Sequence, residues 1–143
     1  MTRDETIAGA RQIAGAGRPF VLATVDQQGG PQVRWMGGYL LEEPLTFYMA
    51  CGATSRKMDQ IAAHPAGQLM FQSEDHSQVA TLSGTCEIVT DLATKRRVWD
   101  GIPGCEAYFS GPEAADFGVI RFVCRRVELL GLKESHEPNV AEL

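Results

Sequence analysis

Gln68-Leu69-Met70-Phe71-Gln72-Ser73, the polar quartet Glu74-Asp75-His76-Ser77, and then the run from Gln78 to Val89 (QVATLSGTCEIV) form the stretch that decides the fold. Two segments of strand composition meet across a turn far too short for a crossover helix, so they must pair as an antiparallel hairpin. The same pattern appears upstream. Phe20 to Val25 is apolar and partly β-branched, Asp26 to Pro31 holds a turn cluster around Gly29-Gly30, and a second run begins at Gln32. This is the first hairpin.

The remaining segments fill in around these two. Thr2 and Glu5 have the spacing of a capping box, and Ile7, Ala10, Ile13 and Ala14 give a short helix that Gly15, Gly17 and Pro19 end. After the Glu42-Glu43-Pro44 turn, Leu45 to Ala50 reads as a strand. Ser55 to Ala63 then shows helical spacing in Met58, Ile61 and Ala62, stopped by His64-Pro65. Thr90 or Asp91 caps a helix to about Trp99, placing Lys95, Arg96 and Arg97 at its solvated C-terminal end. Gly101 to Gly118 is a Gly/Pro-punctuated loop. Val119 to Leu132 is a long final strand, with Val119, Arg121, Val123, Arg125 and Val127 on one face against Ile120, Phe122 and Cys124 on the other, and the tail after Lys133 is expected to be loose. About six strands and three short helices that do not alternate as βαβ units predict a mainly β, α+β protein. Its antiparallel sheet is closed or nearly closed, in one domain spanning residues 1–143.

Composition narrows the function classes. With 44% apolar and 22% charged residues the chain has the make-up of a folded domain. Its net charge of −5 argues against a nucleic-acid partner, which needs a basic surface, so any anion site must be local. Met1 to Arg18 lacks the apolar core of a signal peptide, and no apolar run reaches the roughly 20 residues of a membrane span, so a cytoplasmic protein without a membrane partner is expected. Cys51, Cys86, Cys105 and Cys124 are scattered without a Cys-x-x-Cys pair; they read as reduced thiols acting as small hydrophobes, with oxidation sensing as the alternative. His64, His76 and His136 have no metal-ligand spacing, so no metal is expected, and neither a Gly-x-Ser-x-Gly elbow nor a P-loop is present.

The chemistry concentrates at Ser55-Arg56-Lys57. A helix N-terminus is partially positive, so two cations in its first turn are disfavoured by up to about 1 kcal/mol each unless an anion binds there. A bound phosphate reverses the sign: backbone N–H groups and the Ser55 hydroxyl donate, Arg56 grips bidentately, and Lys57 adds a point charge. The competing reading leaves both cations in solvent. Arg34 lies mid-strand in Gln32-Val33-Arg34-Trp35-Met36, where alternation sets Gln32, Arg34 and Met36 on one face. It needs a partner or water there, and a structural bridge to Glu42, Glu74 or Glu87 is the favoured reading on the residues alone.

An arginine strand, then Phe47-Tyr48-Met49, then Ser55-Arg56-Lys57 with Gln60-Ile61, then a hairpin carrying Ser77-Gln78-Val79 is a distinctive order. In that order and spacing the chain resembles the pyridoxamine 5'-phosphate oxidase-like FMN-binding split-barrel family over roughly residues 15 to 132, especially its short general-stress-protein branch. Tyr108-Phe109-Ser110-Gly111-Pro112 and Asp116 to Phe122 are similar to that branch too, and this stretch reads as an aromatic plug under a loop in preference to a ligand contact. The resemblance implies FMN as cofactor in a split β-barrel. Arg34 would reach the phosphate or ribityl region, and the backbone of Trp35, Met36 and Gly37 would run along the flavin ring. Tyr48 and Met49 would face the ribityl chain, and Ser55, Arg56 and Lys57 would hold the phosphate. Gln78 would contact the cofactor from the partner subunit of a homodimer with two interfacial flavins. The implied activity is an FMN-dependent oxidoreductase acting on an unnamed small-molecule substrate, with NAD(P)H as a candidate donor. The alternative is a flavin-binding general stress protein without turnover, and a third reading is a barrel dimer with an empty or different pocket, such as one for a deazaflavin. Cys51-Gly52-Ala53-Thr54 makes a longer approach to the Ser-Arg-Lys than pyridoxamine phosphate oxidases have, and their C-terminal Trp and Arg segments are missing, so pyridoxal phosphate synthesis is not expected.

Overall fold

The computed structural model describes residues 1–133 and 137–143; His136 lies outside the described residues. Helix α1 (Arg3–Ala14) starts in the expected Thr2/Glu5 capping box. It is followed by strands β1 (Phe20–Val25), β2 (Pro31–Met36), β3 (Tyr39–Glu42) and β4 (Thr46–Gly52), helix α2 (Arg56–Ala63), strands β5 (Ala66–Gln72) and β6 (Gln78–Val89), and helix α3 (Leu92–Gly101). A 3₁₀ turn at Cys105–Ala107, strand β7 (Phe117–Gly131) and strand β8 (Asn139–Glu142) complete the chain.

All strands join one antiparallel sheet in the order β2-β1-β5-β6-β7-β4-β3, with β8 on β7. Its two ends, β2 and β3, are neighbours in the chain, separated by Gly37 and Gly38 alone. That link spans at most about 11 Å. The sheet therefore has to curl until its ends nearly meet without pairing, which makes it a barrel split along the β2/β3 seam. Phe20, Tyr39, Phe47 and Phe71 crowd the interior, with Phe20 and Phe71 stacked at 4.8 Å and Phe47 and Phe71 at 5.4 Å. A smaller apolar cluster of Tyr48, Val98, Ile102, Cys105, Phe117 and Val119 seats α3 outside the barrel.

Two strands exceed the expected six. β3 is only Tyr39-Leu40-Leu41-Glu42, half-buried throughout, so it shows no alternation to read. The tail is not loose either: β8 pairs Asn139 to Glu142 with Arg126 to Leu129 and buries Ala141. Arg3 Nε ties this polar strand down by donating to the Glu142 carbonyl at 2.8 Å, while Arg126 meets its carboxylate at 3.4 Å.

The alternation of β7 also changes partway. Ile120, Phe122 and Cys124 are buried, but so are Val127 and Leu129, which simple alternation sets on the opposite face. The pairing jumps from Gly84↔Cys124 to Ser83↔Arg126, leaving Arg125 as the extra residue of a β-bulge. One inserted residue exchanges the faces beyond it. The three basic residues of α3 do not stand at its end, although Arg96 and Arg97 are exposed as expected. The helix runs on to Gly101, so they sit mid-helix, where Arg96 pairs with Glu113, Arg97 with Glu42, and Lys95 lies over the Phe117 ring.

All four cysteines are free and buried. Burial pushes the Cys86 thiol up to about 12 and Cys124 up to about 11, from an ordinary value of 9.0. Below pH 9 native and unfolded chains both hold these protons. As the pH rises from there towards the raised values, only the unfolded chain releases them, so stability falls by about 1.4 kcal/mol per pH unit for each thiol. Cys86→Ala is therefore expected to shallow the alkaline loss of stability in denaturant titrations, and an unaltered slope would assign that loss to other groups.

Candidate functional site

α2 begins immediately after the last strand residue of β4 and a tight turn. Ser55 caps it with extended backbone, so Arg56 and Lys57 occupy the first helical positions, where N–H groups have no partner inside the helix. The Ser55 hydroxyl is already engaged: it donates to the Gly52 carbonyl at 2.8 Å and accepts from Lys57 Nζ at 3.2 Å. It is thus a link in the turn rather than a free donor for an anion.

Arg34 reaches the same region from β2. It pairs with none of the three glutamates considered for it; Glu42 is held by Arg97 and Glu87 by Arg121. Its guanidinium instead donates to neutral oxygens: Thr24 Oγ1 at 2.7 Å, Gln60 Oε1 at 2.9 Å, and the carbonyls of Leu22 and Gln32 at 3.2 and 3.3 Å. Burial first, then the nearby Arg56 charge, push the Arg34 guanidinium down from its ordinary value. Arg96, Arg97, Arg121 and Arg126 each meet a glutamate, whereas among the described residues Arg34, Arg56 and Lys57 meet no carboxylate. A cluster of cations with no counter-charge in the protein is complementary to an anion from outside it.

Beside this cluster a cavity of about 900 Å³ opens along the split seam. Trp35, Met36, Gly37, Gly38 and Tyr39 form one wall, Ala50 and Cys51 of β4 another, and Lys57 closes the end nearest α2. Ile102 to Cys105 with Tyr108 and Phe109 supply the remaining side. This volume lies within the usual range of roughly 300–1,000 Å³ for small-molecule sites. The lining is mostly apolar, and Lys57 is its one charged side chain among the described residues.

The other candidate residues are dispersed. Trp35, Met36 and Gly37 do line the cavity, but Tyr48 and Met49, adjacent on β4, point to opposite sides. Met49 is sealed in the barrel, while Tyr48 faces α3 with the Arg97 guanidinium 4.8 Å from its ring centre. Neither lines the cavity. Gln78 opens β6 opposite Gly131, in a separate depression beside Gln12 and Arg18, so one chain alone does not bring it to the cation cluster. Thr24, Gln60 and the cavity wall from Ile102 to Cys105 were not among the expected site residues. Gln60 carried no helical signal in the sequence, standing about 100° from Ile61 and about 200° from Met58 around α2, although all three are buried.

The family model described as pyridoxamine 5'-phosphate oxidase matches residues 10–131. The chain belongs to this family. No curated protein matches it. Among solved structures of this split-barrel fold, it is similar to a Clostridium acetobutylicum protein related to general stress protein 26 of Bacillus subtilis, at 19% identity and TM-score 0.84, covering 99% of this chain and 97% of that one. A haem-binding protein from Mycobacterium smegmatis matches at 20% identity and TM-score 0.79, over 99% of this chain and 60% of that chain. A pyridoxamine 5'-phosphate oxidase-related, FMN-binding protein from Nostoc punctiforme matches at 18% identity and TM-score 0.73, over 98% and 89%. For a pyridoxamine 5'-phosphate oxidase family chain, then, the barrel and its seam are shared features, and the cation cluster beside the seam is where ligand choice has to be argued.

Proposed function

We propose that this chain binds FMN in the seam cavity and works as an FMN-dependent oxidoreductase, with the flavin at a homodimer interface in the cytoplasm. The observation that carries the reading is the cluster of Arg34, Arg56 and Lys57, which meets no carboxylate among the described residues and lies at a helix N-terminus beside an apolar cavity. A phosphorylated, flat, mostly apolar ligand satisfies both halves of such a site. Arg34, Arg56 and Lys57 would hold the phosphate, and Trp35, Met36 and Gly37 would flank the ring. The flavin supplies hydride-transfer chemistry when bound, and the protein contributes orientation and dipoles. Among the described residues no carboxylate or histidine lines the cavity, which fits chemistry that needs no side-chain acid or base. With Lys57 as the one charged side chain in the lining among the described residues, the cavity offers a second phosphate little grip, which favours a substrate other than a pyridoxamine phosphate.

The dimer has its own support. Trp35, Val21 and Met70 sit side by side across β2, β1 and β5, and Val33 neighbours Ala23 in the adjoining row. Trp35 and Val33 are 73% and 70% exposed, an apolar surface that a second copy would cover. Free, buried cysteines suit a reducing compartment.

Native mass spectrometry of the purified chain tests the whole reading. A dimer carrying two FMN masses is the expected result, and a monomer that takes up no added FMN overturns it. The general-stress-protein likeness favours a second reading, flavin binding without turnover. Bleaching of the flavin by NADH or NADPH separates the two, since a flavin that stays oxidised with both donors supports the second.

A further inference from the structure

Three buried or half-buried polar side chains are knotted together at the inner end of the cation cluster. Thr24 is 2% exposed on a β1 face otherwise filled by Phe20 and Leu22, and Gln60 is 6% exposed on α2, which also buries Met58 and Ile61. Gln60 Oε1 accepts two hydrogen bonds, from Thr24 Oγ1 at 2.6 Å and from Arg34 Nη2 at 2.9 Å. Thr24 Oγ1 in turn accepts from Arg34 Nη1 at 2.7 Å. The guanidinium is therefore held from β1 and α2 at once, in one orientation, by oxygens that carry no formal charge.

That neutrality is informative. A buried arginine usually meets a carboxylate, which supplies the same hydrogen bonds and cancels the charge. Glutamate differs from glutamine here by one atom and would offer an oxygen in the same place. With the amide, Arg34 keeps its full charge close to that of Arg56, and the two repel until an anion arrives. We infer that Gln60 is a positioning residue that orients Arg34 without neutralising it, and that it thereby sets the preference of the site for a phosphorylated flavin over the unphosphorylated one. Thr24 is its accomplice on the strand side. This inference rests on the FMN reading for the identity of the ligand; the polar knot itself stands on its hydrogen bonds alone.

The test compares FMN and riboflavin binding to the ligand-stripped full-length chain by flavin-fluorescence titration, in the wild type, Gln60→Glu and Gln60→Met. Gln60→Glu is expected to weaken FMN by about 100-fold, the scale of a lost charge-assisted contact, while riboflavin changes little. It should also flatten the salt dependence of FMN affinity, because one cation no longer faces the phosphate. Gln60→Met, which keeps the side-chain length but frees the guanidinium, should cost FMN about 10-fold with riboflavin again nearly unchanged. An FMN-to-riboflavin affinity ratio that stays at the wild-type value in both variants overturns the inference, because a merely structural amide affects both ligands alike. Should Gln60→Glu fail to fold, the ratio in Gln60→Met decides. A wild-type chain that binds neither flavin overturns the functional reading and this inference together, whereas wild-type discrimination that survives both substitutions overturns this inference alone.

Discussion

Gly84→Ala is expected to lower stability by about 3 kcal/mol or more, near the upper end of what one added methyl group does to a packed interior. Gly84 lies where β6 meets the bulge of β7, and a Cβ there would stand 2.1 Å from the Val123 carbonyl oxygen, 2.9 Å from its carbon and 2.8 Å from Phe122 Cζ. Two of these three atoms are backbone, so no rotamer change relieves the clash. Either the strands separate or the bulge is lost, and losing it would turn Val127 and Leu129 out of the core. Denaturant unfolding reads the effect directly, with a melting temperature lower by roughly 6–12 °C for a chain of this size. A variant within about 1 kcal/mol of the parent would mean that the bulge is adjustable and that Gly84 is incidental to it.

Replacing Arg56 and Lys57 together by alanine should move two quantities in opposite directions. FMN affinity is expected to fall by about 1,000-fold or more, because the phosphate loses a bidentate partner and a point charge, while riboflavin, which lacks the phosphate, loses far less. The ligand-free variant should meanwhile be as stable as the parent or slightly more so, by up to about 1 kcal/mol, since two cations are removed from the positive end of α2. Arg56 is exposed and meets no acid among the described residues, and Lys57 reaches only the Ser55 hydroxyl, so little packing is lost. Titration with each flavin and thermal melts of the stripped proteins check both directions. Equal losses for the two flavins would remove the phosphate from the argument, and a destabilised apo variant would show that the cations serve the fold.

The parts of this architecture visible in the sequence are those encoded over short distances. The 68–89 hairpin, the capping box of α1 and the start of α2 each declare themselves within a few residues, through composition, turn chemistry or cap spacing. Arg56 and Lys57 stood out for the same reason: they contradict the preference of the helix end they occupy. What stayed hidden depends on residues far apart in the chain. The neutral partners of Arg34 come from β1 and α2, the bulge at Arg125 exists only relative to β6, and β8 is a strand because Arg3 and Arg126 hold it. The wall from Ile102 to Phe109 likewise becomes part of a cavity only once the sheet has curled to bring β2 beside it.

The two-glycine link between β2 and β3 has a consequence for how the ligand and the barrel depend on each other. Everywhere else in the sheet, neighbouring strands are held by ladders of backbone hydrogen bonds; along this one line they are held by Gly37 and Gly38, with Ile102 pressed against Gly38. A molecule lodged there does the work of the missing rungs, touching the first and last strands of the order at once. Its grip is therefore counted in the cohesion of the barrel as well as in its own affinity. The staves can stay as they are while the contents of the gap change.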